Sequence, residues 1–117
     1  MPGVVRDCVT RGVTAAIIIS AGFKECGASG IDLERQVLAH TQRGGTRIIG
    51  PNCLGVMMPQ LGLNATFAAG MALPGNVGFI SQSGAMGMAG FVLAQREGAR
   101  VGKFISTGNE AALGLTD

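Results

Sequence analysis

Apolar residues fall along this chain in short unbroken runs closed by small-residue turns, and between the runs they recur at helical spacing. Ala15-Ala16-Ile17-Ile18-Ile19-Ser20 is a mostly β-branched run of the kind found in parallel strands covered by helices on both faces. Arg47-Ile48-Ile49-Gly50, Asn76-Val77-Gly78-Phe79-Ile80 and Gly102-Lys103-Phe104-Ile105-Ser106 read as three further strands. Helices are predicted over 4–11, stopped by Gly12; over 31–41, stopped by Gly44-Gly45; and from the 81–85 turn to about 97, stopped by Gly98. In the second of these, Ile31, Leu33 or Glu34, Val37, Leu38 and Thr41 share one face. Residues 56–75 lack periodicity and carry two prolines and three glycines, so they read as a segment crossing between two lobes. Another helix is expected to begin just after Thr107-Gly108-Asn109-Glu110. The order α-β-α-β, then β-α-β, predicts an α/β fold with a parallel sheet. Two strands in each half make small cores, so further sequence is expected on both sides.

Composition narrows the functional classes. Hydrophobic residues make up 47% of the chain and charged ones 14%, the reverse of a disordered chain's balance. Nine basic residues against seven acidic ones, with no run of like charge and no Tyr or Trp, speak against nucleic acid as a partner. The three cysteines, Cys8, Cys26 and Cys53, form neither a C-x-x-C pair nor a zinc pattern, so no metal is expected and the thiols read as reduced. The longest apolar run, residues 13–19 with one threonine, is far short of the roughly 18 residues a membrane span needs. The N-terminus carries an acid and no apolar stretch, unlike a signal peptide, so a cytoplasmic protein is expected.

Chemistry concentrates in the turns. Phe79-Ile80-Ser81-Gln82-Ser83-Gly84-Ala85 takes a strand straight into a helix, with Ser81 or Ser83 placed to cap it. Free N–H groups and the helix dipole at such a start make an anion site; a capped helix in a tight sandwich, with no ligand, would look the same. Gly84, Gly87 and Gly90 recur every third residue although an interior glycine costs a helix about 1 kcal/mol, which makes sense if that face lies close to the sheet. Ser83 also sits where the nucleophile of a G-x-S-x-G elbow would, but no histidine follows it and no triad can form. Neither G-x-G-x-x-G nor a Walker loop is present.

Gly50-Pro51-Asn52-Cys53-Leu54-Gly55 is a second turn at the carboxyl end of a strand, the edge where open α/β sheets bind ligands. Pro51 stiffens it and Asn52 tolerates left-handed geometry, although a plain tight turn would carry the same residues. Cys53 reads as a small buried hydrophobe, and His40, the only histidine, as a half-buried packing residue beside an apolar helix face.

Taken together, five blocks in order resemble the NDP-forming acyl-CoA synthetases and the α subunit of succinyl-CoA synthetase. They are Ile18-Ile19-Ser20-Ala21-Gly22-Phe23; Arg47 to Gly55; Leu63-Asn64-Ala65-Thr66-Phe67; Gly75 to Ala85; and Phe104-Ile105-Ser106-Thr107-Gly108-Asn109-Glu110. The resemblance implies that residues 1–70 are the C-terminal half of a Rossmann-like CoA-binding domain. Residues 71–117 would then be the N-terminal part of a flavodoxin-like ligase domain.

It further implies that Ser20, Ala21 and Gly22 contact CoA, that Pro51, Asn52 and Cys53 lie near its thioester end, and that the Ser83-Gly84-Ala85 helix start receives phosphate carried on a phosphohistidine. The reaction implied is acyl-CoA + NDP + phosphate ⇌ carboxylate + CoA + NTP, through an acyl phosphate and that phosphohistidine, with acetate or a similar short acid. The phosphohistidine and the CoA phosphate loop would lie outside this chain, as would the ATP-grasp domain or subunit that binds ATP or ADP with Mg²⁺. The chain therefore carries no catalytic residue and is expected to be inactive alone, as part of a full-length oligomer. Ala112 stands where relatives often have an acid. An alternative is the CoA-sensing, ligase-like region of a protein lysine acetyltransferase. A third is a flavodoxin-like module for a nucleotide or flavin, disfavoured by the lack of aromatic residues near the turns.

Overall fold

Proline pre-set for a first helical turn starts α1 (Pro2–Thr10), and the chain then alternates as the runs predict. The computed structural model describes residues 1–117. Strand β1 (Ala15–Ile17) is followed by a 3-10 turn at Lys24–Cys26, helix α2 (Ala28–Gly44) and strand β2 (Arg47–Ile49). Strands β1 and β2 pair in parallel, with Ala15 opposite Arg47 and Ile17 opposite Ile49. Helices α1 and α2 cover one face of this pair, and Val5, Ile18, Phe23, Val37 and Ile48 close between them as a small core.

The expected burial of β1 on both faces is not found: Ile17 is 36% exposed while Ile18 is buried. Val5 of α1 and Val37 of α2 pack on the Ile18–Ile48 side, so Ile17 and the half-buried Ile49 lie outside that core. Helix α2 is longer than periodicity predicts, and its buried line runs through Gly30, Glu34, Val37 and Thr41 while Ile31 is exposed.

Residues 55–66 depart most from the sequence reading. They form a hairpin of β3 (Gly55–Met58) and β4 (Leu63–Thr66), joined by a 3-10 turn at Pro59–Leu61 and left-handed Gly62. Strands of four residues are too short to impose periodicity on a window, and the Pro and Gly that suggested irregular chain are the residues that turn the hairpin. Strand β5 (Pro74–Ser81), helix α3 (Gly84–Arg96) and strand β6 (Val101–Ser106) follow as expected. Strands β5 and β6 are parallel, but β3 pairs antiparallel with β6, so the second sheet is mixed, ordered β4-β3-β6-β5. Residues 107–117 form turns and not the expected helix.

Helix α3 lies on one face of this sheet. A Cβ built on Gly87 would be 3.1 Å from the Phe104 ring, and one on Gly90 2.6 Å from the Phe79 ring. The every-third glycines thus let the helix backbone come down onto two stacked phenylalanines whose centroids are 5.5 Å apart. Phe91 meets Phe104 edge-on at 6.1 Å, and Met57, Ala72 and Val101 complete this core. No helix is long and apolar enough to cross a membrane.

Candidate functional site

Three turns far apart in sequence meet at one cleft. The β1–α2 loop brings Ser20, Ala21, Lys24 and Glu25; the turn after β2 brings Asn52, Cys53 and Leu54; the start of α3 brings Gln82, Ser83, Gly84 and Ala85. Ile19, Phe67, Gly108 and Asn109 complete the lining of a cavity of about 880 Å³. Seven of the nine candidate residues therefore share one wall-to-wall space. Gly22 and Pro51 do not reach it: the Gly22 N–H donates to Glu25 Oε1 at 2.6 Å, and Pro51 is fully buried behind its turn. His40 is half-buried on α2 and lies outside the cleft.

Backbone conformation sets the second turn. Asn52 adopts φ 54°, the left-handed geometry its short amide tolerates, and its N–H donates to the Ser20 carbonyl at 3.0 Å. The Cys53 thiol donates to the Ile18 carbonyl at 3.4 Å, and burial raises its pKa, so it packs as an unreactive thiol. The Leu54 N–H donates to Ser106 Oγ at 2.9 Å, tying the turn to the end of β6.

At the third turn Ser83 is the helix cap: its Oγ accepts the Met86 N–H at 3.3 Å and its carbonyl the Gly87 N–H at 2.9 Å. The Gly84 and Ala85 N–H groups have no protein partner, and both residues line the cleft at the positive end of α3. That is the donor arrangement that a phosphate-sized anion fits.

A polar hub that sequence reasoning missed locks the turns together. Asn109 is buried, and its backbone N–H donates to the Pro51 carbonyl at 2.8 Å. Its Oδ1 accepts from Asn52 Nδ2 at 3.3 Å, while its Nδ2 donates to Glu25 Oε2 and, at 3.5 Å, to Glu34 Oε2. Lys24 Nζ stands 3.6 Å from the buried Glu34. Burial pushes the Glu25 carboxyl up, but the Asn109 amide and the Phe23 and Gly22 N–H groups outweigh it and hold the pKa at about 2. Gly108 has φ 60°, and a Cβ there would overlap the Pro51 carbonyl, so the approach of this loop to the second turn needs glycine. These partners are 57 to 84 residues apart, beyond any local pattern; only the Asn109-bearing block hinted at them.

Residues 74–117 match the family described as the succinyl-CoA ligase like flavodoxin domain. Over all 117 residues the chain is 39% identical to the ADP-forming acetate–CoA ligase I of Archaeoglobus fulgidus, and over 111 residues 44% identical to subunit alpha of the ADP-forming acetate–CoA ligase II of Pyrococcus furiosus. Among solved structures, the acetyl-coenzyme A synthetase 1 of Ca. Korarchaeum cryptofilum in complex with phosphate and ADP superimposes with a TM-score of 0.91 over 97% of this chain at 40% identity. The chain spans 17%, 24% and 24% of these relatives respectively. It is homologous to one segment of the ADP-forming acetate–CoA ligases and shares its α/β fold, as the five motif blocks suggested. The acetyltransferase reading draws no support from these relatives.

Proposed function

We propose that this chain is the part of an NDP-forming acyl-CoA synthetase in which the CoA-binding and ligase domains meet, with the β3–β4 hairpin carried on the sheet of the second half. The observation that carries the reading is the convergence of the Ser20-Ala21, Asn52-Cys53 and Ser83-Gly84-Ala85 turns on one cleft. Within that cleft the first two turns take the pantetheine and thioester end of CoA, behind which Gly22 and Pro51 shape the backbone. Unpaired N–H groups of Gly84 and Ala85 hold the phosphate.

The residues fit this use. A cavity of about 880 Å³ has room for a thioester and a phosphate together, and no charged side chain comes from the α3 side to oppose an anion. In the whole enzyme the reaction is acyl-CoA + NDP + phosphate ⇌ carboxylate + CoA + NTP. CoA supplies the thiol that carries the acyl group. This chain's part is to orient and desolvate: fixed N–H dipoles stabilise charge without reorganising, and the Asn109 hub keeps the turns in register. The phosphohistidine, the ATP-grasp unit and bound Mg²⁺ belong to regions outside these 117 residues, in a cytoplasmic oligomer.

The test is to incubate the full-length protein carrying this segment with γ-labelled ATP and look for acid-labile, base-stable label. Label discharged by acetate plus CoA supports the ligase cycle, and Gly84→Pro, which removes one N–H, lowers its level. No label, with CoA still bound, sinks the reading.

A further inference from the structure

We infer that Phe67 and Leu54 form the acyl-group wall of the cleft, receiving the apolar part of a carboxylate substrate beside the helix start that takes its phosphate. The inference rests on the ligase reading and names the part of the substrate this side of the site recognises.

Of the five phenylalanines, Phe23, Phe91 and Phe104 are buried and Phe79 stacks on Phe104, whereas Phe67 is 69% exposed and lines the cavity. Its exposure is built in. Asn64 Oδ1 accepts from the Thr66 N–H at 3.1 Å and Oγ1 at 2.6 Å; Asn64 Nδ2 donates to the Ala68 and Gly70 carbonyls at 3.1 and 3.3 Å; Thr66 Oγ1 accepts the Ala68 N–H at 3.0 Å. Five side-chain hydrogen bonds flank this one residue and fix the loop that presents its ring to the cavity.

Position decides which part of the ligand that is. Gly55 pairs with Thr66 as the last pair of the β3–β4 ladder, and the residues just beyond it on the two strands, Leu54 and Phe67, both line the cavity. A Cβ on Gly84 would lie 3.7 Å from Leu54 Cβ, so this apolar pair adjoins the anion-binding helix start. Lys24, Glu25 and Asn109 make a different part of the lining polar. An acyl phosphate joins its acyl carbon directly to a phosphate oxygen. With phosphate on Gly84 and Ala85, the chain beyond the carbonyl lies against Leu54 and Phe67.

The experiment compares acetate, butanoate and phenylacetate in CoA-thioester formation by the full-length enzyme and its Phe67→Ala and Phe67→Leu variants. Phe67→Ala is expected to lower kcat/KM for phenylacetate about tenfold more than for acetate, leaving the KM for CoA unchanged. Phe67→Leu should restore most of the butanoate rate. Equal losses on all three acids, a raised KM for CoA, or unchanged selectivity would overturn the inference. So would a wild-type enzyme that neither turns over nor is inhibited by the larger acids. A wild-type enzyme forming no thioester overturns the ligase reading itself, before any variant is made.

Discussion

Around β1 and β2 the core is aliphatic apart from Phe23, and its helices carry the regular apolar spacing of the chain. Around the mixed sheet the core rests on Phe104, stacked on Phe79 and met edge-on by Phe91, with a helix of small residues pressed on top. Each core holds five buried hydrophobic residues, yet the first is closed by backbone fit at a loop and the second by ring packing. The cleft lies between them and inherits one wall from each. Two cores this small cannot each be strongly stable, so the polar seam through Asn109 has more weight than it would in a larger domain.

The largest blow falls on the ring-packed half. Phe104→Ala removes the ring that Phe79, Phe91 and Gly87 all meet, and should cost about 4 kcal/mol, read as a lowered urea midpoint. If the loop-fitted half is the weaker partner, the lost stability should appear as one cooperative transition. Two separated transitions would break the comparison by showing that the halves unfold independently.

Gly30→Ala tests the other mode of closure. A methyl there would overlap the Phe23 carbonyl, a backbone atom that cannot swing aside, so α2 must move off the loop that carries Ser20 to Glu25. The expected cost is about 3 kcal/mol by the same midpoint. Gly90→Ala meets only the tip of the Phe79 ring and should cost less. The reverse order would mean that ring packing, and not the loop, is the tighter fit.

How much of this was legible follows from range. Runs such as Ala15 to Ser20 and the Gly84-Gly87-Gly90 spacing are local, and they led to the α/β order, the close helix and the three turns. Asn52 was read as tolerant of left-handed geometry and adopts it. The β3–β4 hairpin was read as irregular because its strands are only four residues long. Glu34 was placed on a helix face and Asn109 in a motif block, but nothing local marked either, or Glu25, as part of a hub, since a carboxylate and an amide find each other only once the chain is folded. Phe67 was visible as part of a motif, but its place in the cleft depends on that same hairpin, so the reading that no aromatic lies near the turns failed with it.

Asn109 sharpens the comparison by cutting the seam alone. Its two amide hydrogens face two carboxylates and its oxygen faces Asn52, so Asn109→Ala takes the donor from Oε2 of the buried Glu34, leaving it only Lys24 at Oε1, and should cost about 2 kcal/mol. Asn109→Asp, nearly the same shape, replaces the donors with a third carboxylate facing Glu25 and Glu34 and should cost more. A milder Asp than Ala would show that the hub is held by packing and not by its hydrogen bonds.

The smallest effect is the most specific. Glu25 falls from its ordinary pKa of 4.5 to about 2 in the folded chain, so the unfolded chain binds its proton first as acid is added. Its contribution is therefore whole above about pH 4.5 and is lost as pH falls towards 2. Because the carboxylate sits at an exposed position, solvent screening keeps the effect modest. Glu25→Gln removes the titration while keeping an acceptor for the Gly22 and Phe23 N–H groups. Thermal melting of both proteins from pH 6 to pH 2.5 should give curves that converge as acid strips the advantage of the charge. Parallel curves would show that Glu25 is not ionised against Asn109, and that the two halves meet at the cleft without this charge between them.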